Sequence, residues 1–173
     1  SPFGFKVVKE MNKQGVMIDI SHVSDAAFMK VLELSKAPVV ATHSSLRHFT
    51  PGWERNVSDE MLIALAENGG VIQLCFGSDF VANRKDNPDI EVSVKNVVDH
   101  IDRVRDLVGI DHVGFGSDFD GEVPLPEDIN DVSKFPNLIE ELLIRGYTES
   151  EIDKILNENI LRVWKEVRAL ADV

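Results

Sequence analysis

The chain has 173 residues, of which 43% are hydrophobic and 28% charged, with a net charge of −12 at pH 7. This composition is typical of a soluble globular protein, and the length fits a single domain over residues 1–173. The negative charge argues against nucleic acid or an anionic membrane surface as a partner. The single cysteine, Cys75, excludes an internal disulfide, and no apolar run approaches the length of a membrane span. We therefore expect a soluble protein, cytoplasmic rather than secreted.

Apolar runs alternate with amphipathic helices along the whole chain. Strands are predicted at residues 16–21, 38–42, 71–76 and 112–117. Helices are predicted at 5–14, from Asp25 to before Pro38, from Ser58 to Asn68, and at 94–108, 136–145, 149–157 and 159–171. Because strands that alternate with helices form βα units, the pattern predicts an α/β fold with a parallel sheet.

Two loops are longer than the usual strand-to-helix connection. The loop at residues 44–57 is the one expected to carry function because of its length, and the loop at 77–91 is rich in Asp and Asn and contains Pro88. No glycine-rich phosphate motif follows any strand, because Gly114 and Gly116 lead into Asp118 rather than into a helix. Nucleotide binding is therefore not expected.

Two histidines follow neighbouring strands at matching positions. His22 comes after the first predicted strand and His43 after the second. Since the carboxyl ends of parallel strands share one rim, the two imidazoles are expected to converge there. Paired imidazoles suit Zn²⁺, with a carboxylate as the usual further ligand. The alternative is that each histidine only hydrogen-bonds a loop, and matched positions make that the less favoured interpretation.

Three aspartates accompany these histidines. Asp118 follows the last strand and is the candidate general acid or base, whereas Asp120 is better explained as part of an Asp-Gly turn with Gly121. Asp19 lies within the first strand, three residues before His22, and a structural buried acid is favoured over a catalytic one.

The loop after the second strand carries Arg55 and Trp53. Arg55 could bind a substrate carboxylate through its planar guanidinium, although spacing alone favours a solvated charge. Trp53 could form a pocket wall or pack the loop onto the domain. The other histidines have no matching partner: His100 is expected to face solvent from its helix, and His112 to point away from the rim.

Six segments in this order resemble the renal (membrane) dipeptidase family of zinc peptidases. They are Asp-Ile-Ser-His-Val-Ser at 19–24, Thr-His-Ser-Ser at 42–45, Arg-Asn at 55–56, Gly-Phe-Gly-Ser-Asp-Phe-Asp-Gly at 114–121, and the segments 131–138 and 159–163. The similarity covers essentially the whole chain. Thr42, where the family usually has serine, is a mild departure.

The resemblance implies a role for each matching residue. His22 and His43 would bind one zinc ion of a two-zinc site, and Asp118 would act as the general acid/base. Arg55, with Asn56 beside it, would bind the substrate, Arg55 holding its C-terminal carboxylate. The implied reaction is hydrolysis of a dipeptide by a metal-bridging hydroxide.

The family's fold is an amidohydrolase-type TIM (β/α)8 barrel, and several of its motifs have no counterpart in this sequence. These are a His-x-Asp pair on the first strand, a bridging glutamate on the fourth and a substrate-binding histidine between them. The chain is therefore expected to be the C-terminal half of the barrel, strands five to eight. Such a half would hold at most one zinc and be inactive alone, and its partner would be the missing N-terminal half or a second copy.

Two other functions stay open at this point. Histidines on successive strands and a late aspartate are common to many amidohydrolase-type metal hydrolases, so the substrate need not be a dipeptide. The chain could also be a non-catalytic truncated remnant that self-associates.

Overall fold

The computed structural model describes residues 1–171, and its centre is a parallel three-stranded sheet. The strands are β1 (Val40–Ser44), β2 (Val71–Cys75) and β3 (Val113–Ser117), and they lie in the order β1-β2-β3. Each strand is followed by at least one helix, so the predicted βα units and parallel strands are confirmed.

The strand predicted at 16–21 is wrong in extent, because only Asp19 forms a bridge, to Val40 of β1. The Ile20 N–H donates to the Val40 carbonyl (2.8 Å), so this segment still runs parallel to β1. The Asp19 carboxylate accepts the N–H groups of Ser21 (2.9 Å) and Thr42 (3.1 Å). These side-chain bonds replace further ladder bonds, which explains why the segment is not a full strand.

The helices follow the predicted alternation and mostly begin at the predicted caps. They are α1 (Pro2–Gln14), α2 (Asp25–Leu34), α3 (Asp59–Glu67), α4 (Ser78–Val81), α5 (Val94–Val108), α6 (Phe135–Ile144), α7 (Glu149–Asp153) and α8 (Asn159–Ala169). A π-helical turn at 154–158 joins α7 to α8. The side-chain oxygens of Ser24, Ser58 and Thr148 accept an N–H from the first turn of α2, α3 and α7. The short α4 lies in a segment predicted to be a loop.

Both strand pairs shift register close to their carboxyl ends. The shift between β1 and β2 lies between Ala41 and Ser44, and that between β2 and β3 lies between Leu74 and Cys75. Such irregularities re-aim side chains and increase local twist. β1 ends at Ser44, beyond its predicted end, so His43 lies inside the strand rather than after it.

The three strands curl so strongly that β3 approaches β1 across β2. A Cβ atom added at Gly116 of β3 would lie 2.2 Å from the Thr42 carbonyl oxygen of β1 and 2.7 Å from that of Gln73 in β2. Only glycine allows backbones to approach this closely.

The hydrophobic core lies between the sheet and its helices. It includes fully buried side chains of β2, α3, α5 and α6, among them Leu74, Leu62, Ile101 and Leu138. A smaller cluster joins α8 to the amino ends of β1 and β2 through Val71, Val163 and their neighbours. This packing leaves the carboxyl ends of the strands as the accessible rim. Among residues 1–171, no helix has the length and apolar character needed to cross a bilayer.

Candidate metal centre and substrate cleft

The two predicted histidines meet at the rim. The Nε2 atoms of His22 and His43 lie 2.8 Å apart, with ring centroids separated by 4.8 Å. His43 projects from β1, whereas His22 follows the segment bridged to β1 and has left-handed backbone (φ 61°). Left-handed conformation is uncommon for a residue with a side chain and is concentrated at functional sites. It directs the His22 ring back toward its partner.

The other ring nitrogen of His43, Nδ1, is hydrogen-bonded to Thr42 of β1. His43 Nδ1 lies 2.7 Å from the Thr42 hydroxyl, and that hydroxyl lies 2.6 Å from Asp19 Oδ2. Asp19 is exposed rather than buried, in contrast to the prediction. Its role is nevertheless structural, because its carboxylate joins its own segment to β1 through Thr42. Desolvation opposes its ionisation, but hydrogen bonds from Thr42 and Ser21 outweigh this, and the pKa of Asp19 is lowered.

His22 is held in its neutral form, the form that binds metals. Desolvation lowers the pKa of His22, and the positive charge of Arg55 and the His43 ring act in the same direction. The carboxylates of Asp118 and Asp19 act the other way without reversing the shift. The surroundings of His22 thus favour the neutral imidazole, so that a proton competes less with a metal ion for its nitrogen.

Arg55 is partly buried beside the histidines rather than solvated, so the interpretation favoured by spacing alone is wrong. One guanidinium nitrogen donates to the His43 carbonyl (2.6 Å) and another to Ser44 Oγ (2.8 Å). The guanidinium also lies over the Phe80 ring, 5.6 Å from its centroid. Desolvation lowers the pKa of Arg55, and its hydrogen bonds within residues 1–171 go to uncharged oxygens. A partly desolvated cation without a carboxylate partner is suited to binding an anion.

Asn56 lies inside the loop instead of facing the cleft. Its side chain is 1% exposed, and its Oδ1 accepts the Ser45 N–H (3.2 Å). Its Nδ2 donates to Thr50 Oγ1 (2.7 Å) and to the Phe80 carbonyl (2.8 Å). The amide is therefore engaged at both ends and holds in place the loop that carries Arg55.

Asp118 follows β3 in a strained turn. Ser117 and Asp118 both have positive φ (25° and 68°), and the Gly121 N–H closes the turn onto the Asp118 carbonyl (3.1 Å). A Cβ at Gly121 would lie 2.5 Å from Asp118 Oδ1, so glycine leaves room for the carboxylate. Asp118 Oδ2 lies 3.8 Å from the Cys75 sulfur. Burial raises the pKa of the Cys75 thiol to about 11, so it stays a protonated donor toward that oxygen.

A cleft is lined by one of the two metal-ligand candidates, His22, and by Arg55. Its volume is about 470 Å³, and it lies between the turn that carries His22 and the loop that carries Arg55. The cleft is open to solvent and is lined by His22, Val23, Ser24, Asp25, Ala26, Glu54 and Arg55. Imidazole and guanidinium groups thus line one concave surface.

The sequence matches the family model described as membrane dipeptidase, peptidase family M19, over residues 1–173. The chain belongs to this family. The resemblance expected from the six sequence segments is therefore confirmed.

Solved structures of this dipeptidase family and of related proteins share the fold. A probable dipeptidase, PvdM, from Pseudomonas aeruginosa is 29% identical with a TM-score of 0.91, and the match covers 99% of this chain and 55% of PvdM. A metallo peptidase from Rhodobacter sphaeroides, liganded with a phosphinate mimic of the dipeptide L-Ala-D-Ala, is 35% identical with a TM-score of 0.87, covering 95% and 46%. An amidohydrolase from Pseudomonas aeruginosa is 30% identical with a TM-score of 0.86, covering 98% and 57%. The chain spans about half the length of each.

The metallopeptidase relatives imply a metal cofactor, and the histidine pair fits part of a metal site. Because zinc–nitrogen bonds are about 2.0–2.1 Å long, two imidazole ligands of one ion lie within roughly 4 Å of each other. The separation of 2.8 Å between His22 and His43 meets this condition. Within the described part of the chain, however, no group of three or more His, Cys, Asp or Glu side chains is arranged to hold a metal. The pair could therefore supply at most two ligands of a larger set.

The remaining histidines lie away from this centre. His100 is fully buried, in contrast to the predicted solvent-facing position, and it accepts the Leu46 N–H (3.0 Å) while its Nε2 lies 3.2 Å from the Val81 carbonyl. His112 contacts the Gly70 carbonyl (2.8 Å) at the amino ends of the strands, so it points away from the rim as predicted.

Trp53 performs both of the roles that the sequence left open. It lines a separate cavity of about 390 Å³ and packs edge-on against Phe80, with centroids 5.9 Å apart. The residue that sequence reasoning missed is Thr42, noted only as a departure from the family. A hydroxyl residue directly before a candidate ligand histidine, with an aspartate near the preceding histidine, was the available signal.

Proposed function

We propose that this chain carries part of the active site of a zinc-dependent dipeptidase. The cleft shared by His22 and Arg55 is the observation that supports this most strongly. A dipeptide has one scissile carbonyl and, one residue further on, a free carboxylate. His22 of the candidate metal-binding pair, and a guanidinium with no carboxylate partner among residues 1–171, lie on one surface and match these two groups.

Arg55 would bind the C-terminal carboxylate of the substrate. Its bonds to the His43 carbonyl and Ser44 Oγ hold the planar guanidinium against β1, so that little rotamer freedom remains to be lost on binding. The same strand carries His43, which couples the position of the carboxylate site to that of the metal-ligand pair. Asn56 would keep the loop rigid and would act on the substrate only through Arg55.

Asp118 would transfer protons between the attacking water and the leaving amine. It lies on the rim in a strained turn, and its charge is felt by both His22 and Arg55. The Cys75 thiol lies toward Asp118 Oδ2, which leaves Asp118 Oδ1 available for proton transfer. A zinc ion bound by His22 and His43 would polarise the scissile carbonyl and lower the pKa of a bound water molecule.

We further propose that the fold is the C-terminal half of an amidohydrolase-type barrel, strands five to eight. Three observations support this: the strands follow one another in sequential order, the sheet curls strongly, and each solved relative is about twice as long. β3 pairs only with β2 within residues 1–171, which leaves one strand edge available for a further strand. The remaining ligands, including those of a second zinc ion, would come from another part of the protein or from a second copy.

The carboxylate role of Arg55 can be tested by comparing L-Ala-D-Ala with its C-terminal amide. In the zinc-loaded assembly that is active, we expect the dipeptide to be hydrolysed and the amide to be a poor substrate. Arg55→Met should remove this preference, because the amide lacks the charge that Arg55 binds. Arg84→Met is the matched control, since Arg84 pairs with Asp79 outside the cleft. An unchanged preference in Arg55→Met would contradict the assignment.

The need for metal ligands from another part of the protein or from a second copy can be tested by measuring assembly and activity together. Multi-angle light scattering gives the mass of the purified chain, and hydrolysis is assayed before and after a chelator and zinc are added. We expect a monomeric 173-residue chain to be inactive and an assembled form to need zinc. Turnover by the monomer would refute the need for ligands from elsewhere. The 30% identical amidohydrolase favours testing cyclic amides and phosphotriesters as the alternative substrates.

A further inference from the structure

The hydrogen bonds around Thr42 determine where its single hydroxyl hydrogen points. Asp19 Oδ1 accepts two backbone N–H groups, those of Ser21 and Thr42, and Oδ2 lies 2.6 Å from Thr42 Oγ1. A carboxylate that accepts from two N–H groups is favoured in its ionised form, which can only accept. The Thr42 hydroxyl therefore donates its hydrogen to Asp19.

The same hydroxyl must then accept a hydrogen bond from its other neighbour. Thr42 Oγ1 lies 2.7 Å from His43 Nδ1, and its only hydrogen is already used. His43 must supply the hydrogen, so its neutral ring carries the proton on Nδ1. Its Nε2 therefore carries a lone pair, which accepts a hydrogen bond from His22 Nε2–H at 2.8 Å in the metal-free protein.

We propose that Asp19 and Thr42 are positioning residues that hold His43 as its Nδ1–H tautomer, with the Nε2 lone pair directed into the metal-ligand pair. This deepens the proposed function and rests on it for the identity of the metal centre. The β-branched threonine has restricted side-chain rotation, which keeps its hydroxyl between the two partners. The His43 N–H also donates to Ser21 Oγ (3.1 Å), so that backbone and ring are both fixed.

Metal-binding histidines commonly donate their second ring N–H directly to a carboxylate, which orients the ring. Here Thr42 lies between the Asp19 carboxylate and the His43 ring. Loss of such bonds weakens metal binding by roughly 10–100-fold. Thr42→Val keeps the shape of the side chain and removes the hydroxyl, whereas Thr42→Ser retains it. The two substitutions therefore separate the hydrogen bond from packing at the same position.

The decisive test reads the tautomer of His43 by ¹⁵N NMR on the metal-free protein, at a pH where the ring is neutral. We expect the Nδ1–H form in the natural protein and in Thr42→Ser. In Asp19→Asn, the amide nitrogen would donate to Thr42 Oγ1, the hydroxyl would turn toward His43 Nδ1, and the ring should change to the Nε2–H form. A purely structural role for Asp19 would not move the proton. An Nε2–H ring in the natural protein, or no change in Asp19→Asn, would overturn the proposal.

Zinc titration provides the second readout. Thr42→Val should bind zinc roughly 10–100-fold more weakly than Thr42→Ser, and thermal unfolding checks that both variants are folded. Equal affinity in the two variants, including no binding by either, would overturn the positioning role. Neither measurement involves hydrolysis, so a failure of the proposed dipeptidase activity can be distinguished from a failure of this proposal.

Discussion

Buried His100 should make the stability of this protein depend on pH. The ring is 0% exposed on α5, contacts the Phe49 ring at 4.4 Å, and is hydrogen-bonded to the Leu46 N–H and the Val81 carbonyl. It joins α5 to the loop after β1 and to α4. Burial lowers the pKa of His100 from 6.5 to about 4, because a charged ring would lose its hydration.

The sign and size of the effect follow from this shift. Between pH 6.5 and about 4 the unfolded chain binds a proton at His100 and the folded chain does not. The stabilisation is therefore complete above pH 6.5 and is lost progressively as the pH falls. With about 1.4 kcal/mol for each pKa unit, the loss reaches about 3 kcal/mol near pH 4.

Urea unfolding measured from pH 8 to pH 4 tests this, with His100→Gln as the perturbation. Glutamine does not titrate, so this variant should lose the His100 part of the pH dependence. It should also be less stable at pH 8 by about 1–3 kcal/mol, because the Leu46 N–H loses a well-placed acceptor. His48→Gln is the matched control: His48 is exposed and its charge makes only the smallest contribution to the lowered pKa of His100, so this variant should keep most of the pH dependence.

Carboxylate protonation affects natural protein and variants alike, so the difference between their curves isolates the histidine. If His100→Gln and the natural protein lose stability in parallel from pH 6.5 to 4, the reasoning from burial is refuted.

Two further substitutions test the packing of the sheet and the ion pairs around it. Gly116→Ala should lower the free energy of unfolding by about 1–3 kcal/mol or more, because its Cβ would overlap backbone carbonyls of β1 and β2. Gly4→Ala in α1, where the added Cβ would make only an ordinary contact of 3.5 Å with Ser1 Oγ, should change stability by no more than about 1 kcal/mol. Similar melting temperatures for the two variants would contradict the close approach at Gly116. Arg145→Met should cost about 2 kcal/mol or more in chemical denaturation, because its guanidinium binds three carboxylates of α5 and α6. Lys30→Met removes an exposed pair with Glu33 and should cost less than about 1 kcal/mol, so an equal effect would argue against the Arg145 network.

Features that depend on neighbouring residues could be predicted from the sequence. The starts of α2, α3 and α7 were predicted from Ser24, Ser58 and Thr148, because a cap forms within one helical turn. The extent of α5 followed from its apolar spacing and from Gly109 at its end. Hydrogen bonds and packing of this kind need no knowledge of the rest of the fold.

The meeting of His22 and His43 was predicted because matching strand ends share one rim, but other features that depend on distant segments were predicted incorrectly. His100 was expected in solvent, yet the loop after β1 crosses α5 and brings the Leu46 N–H to its ring. The first strand was expected to be complete, but Asp19 takes the N–H of Thr42 from 23 residues away. In both cases a side chain meets a partner that spacing along the chain does not reveal.

The sequence by itself determined the family and the βα alternation, because these reside in residue order and local periodicity, and it predicted His22, His43, Arg55 and Asp118 as the site residues. Only the tertiary structure decided how such residues act together. His43 of β1 meets His22 from the preceding segment, and Thr42 joins the His43 ring to Asp19. These relations depend on where three separate segments meet in space, and hydrogen bonds of less than 3 Å cannot be deduced from sequence distances of more than 20 residues.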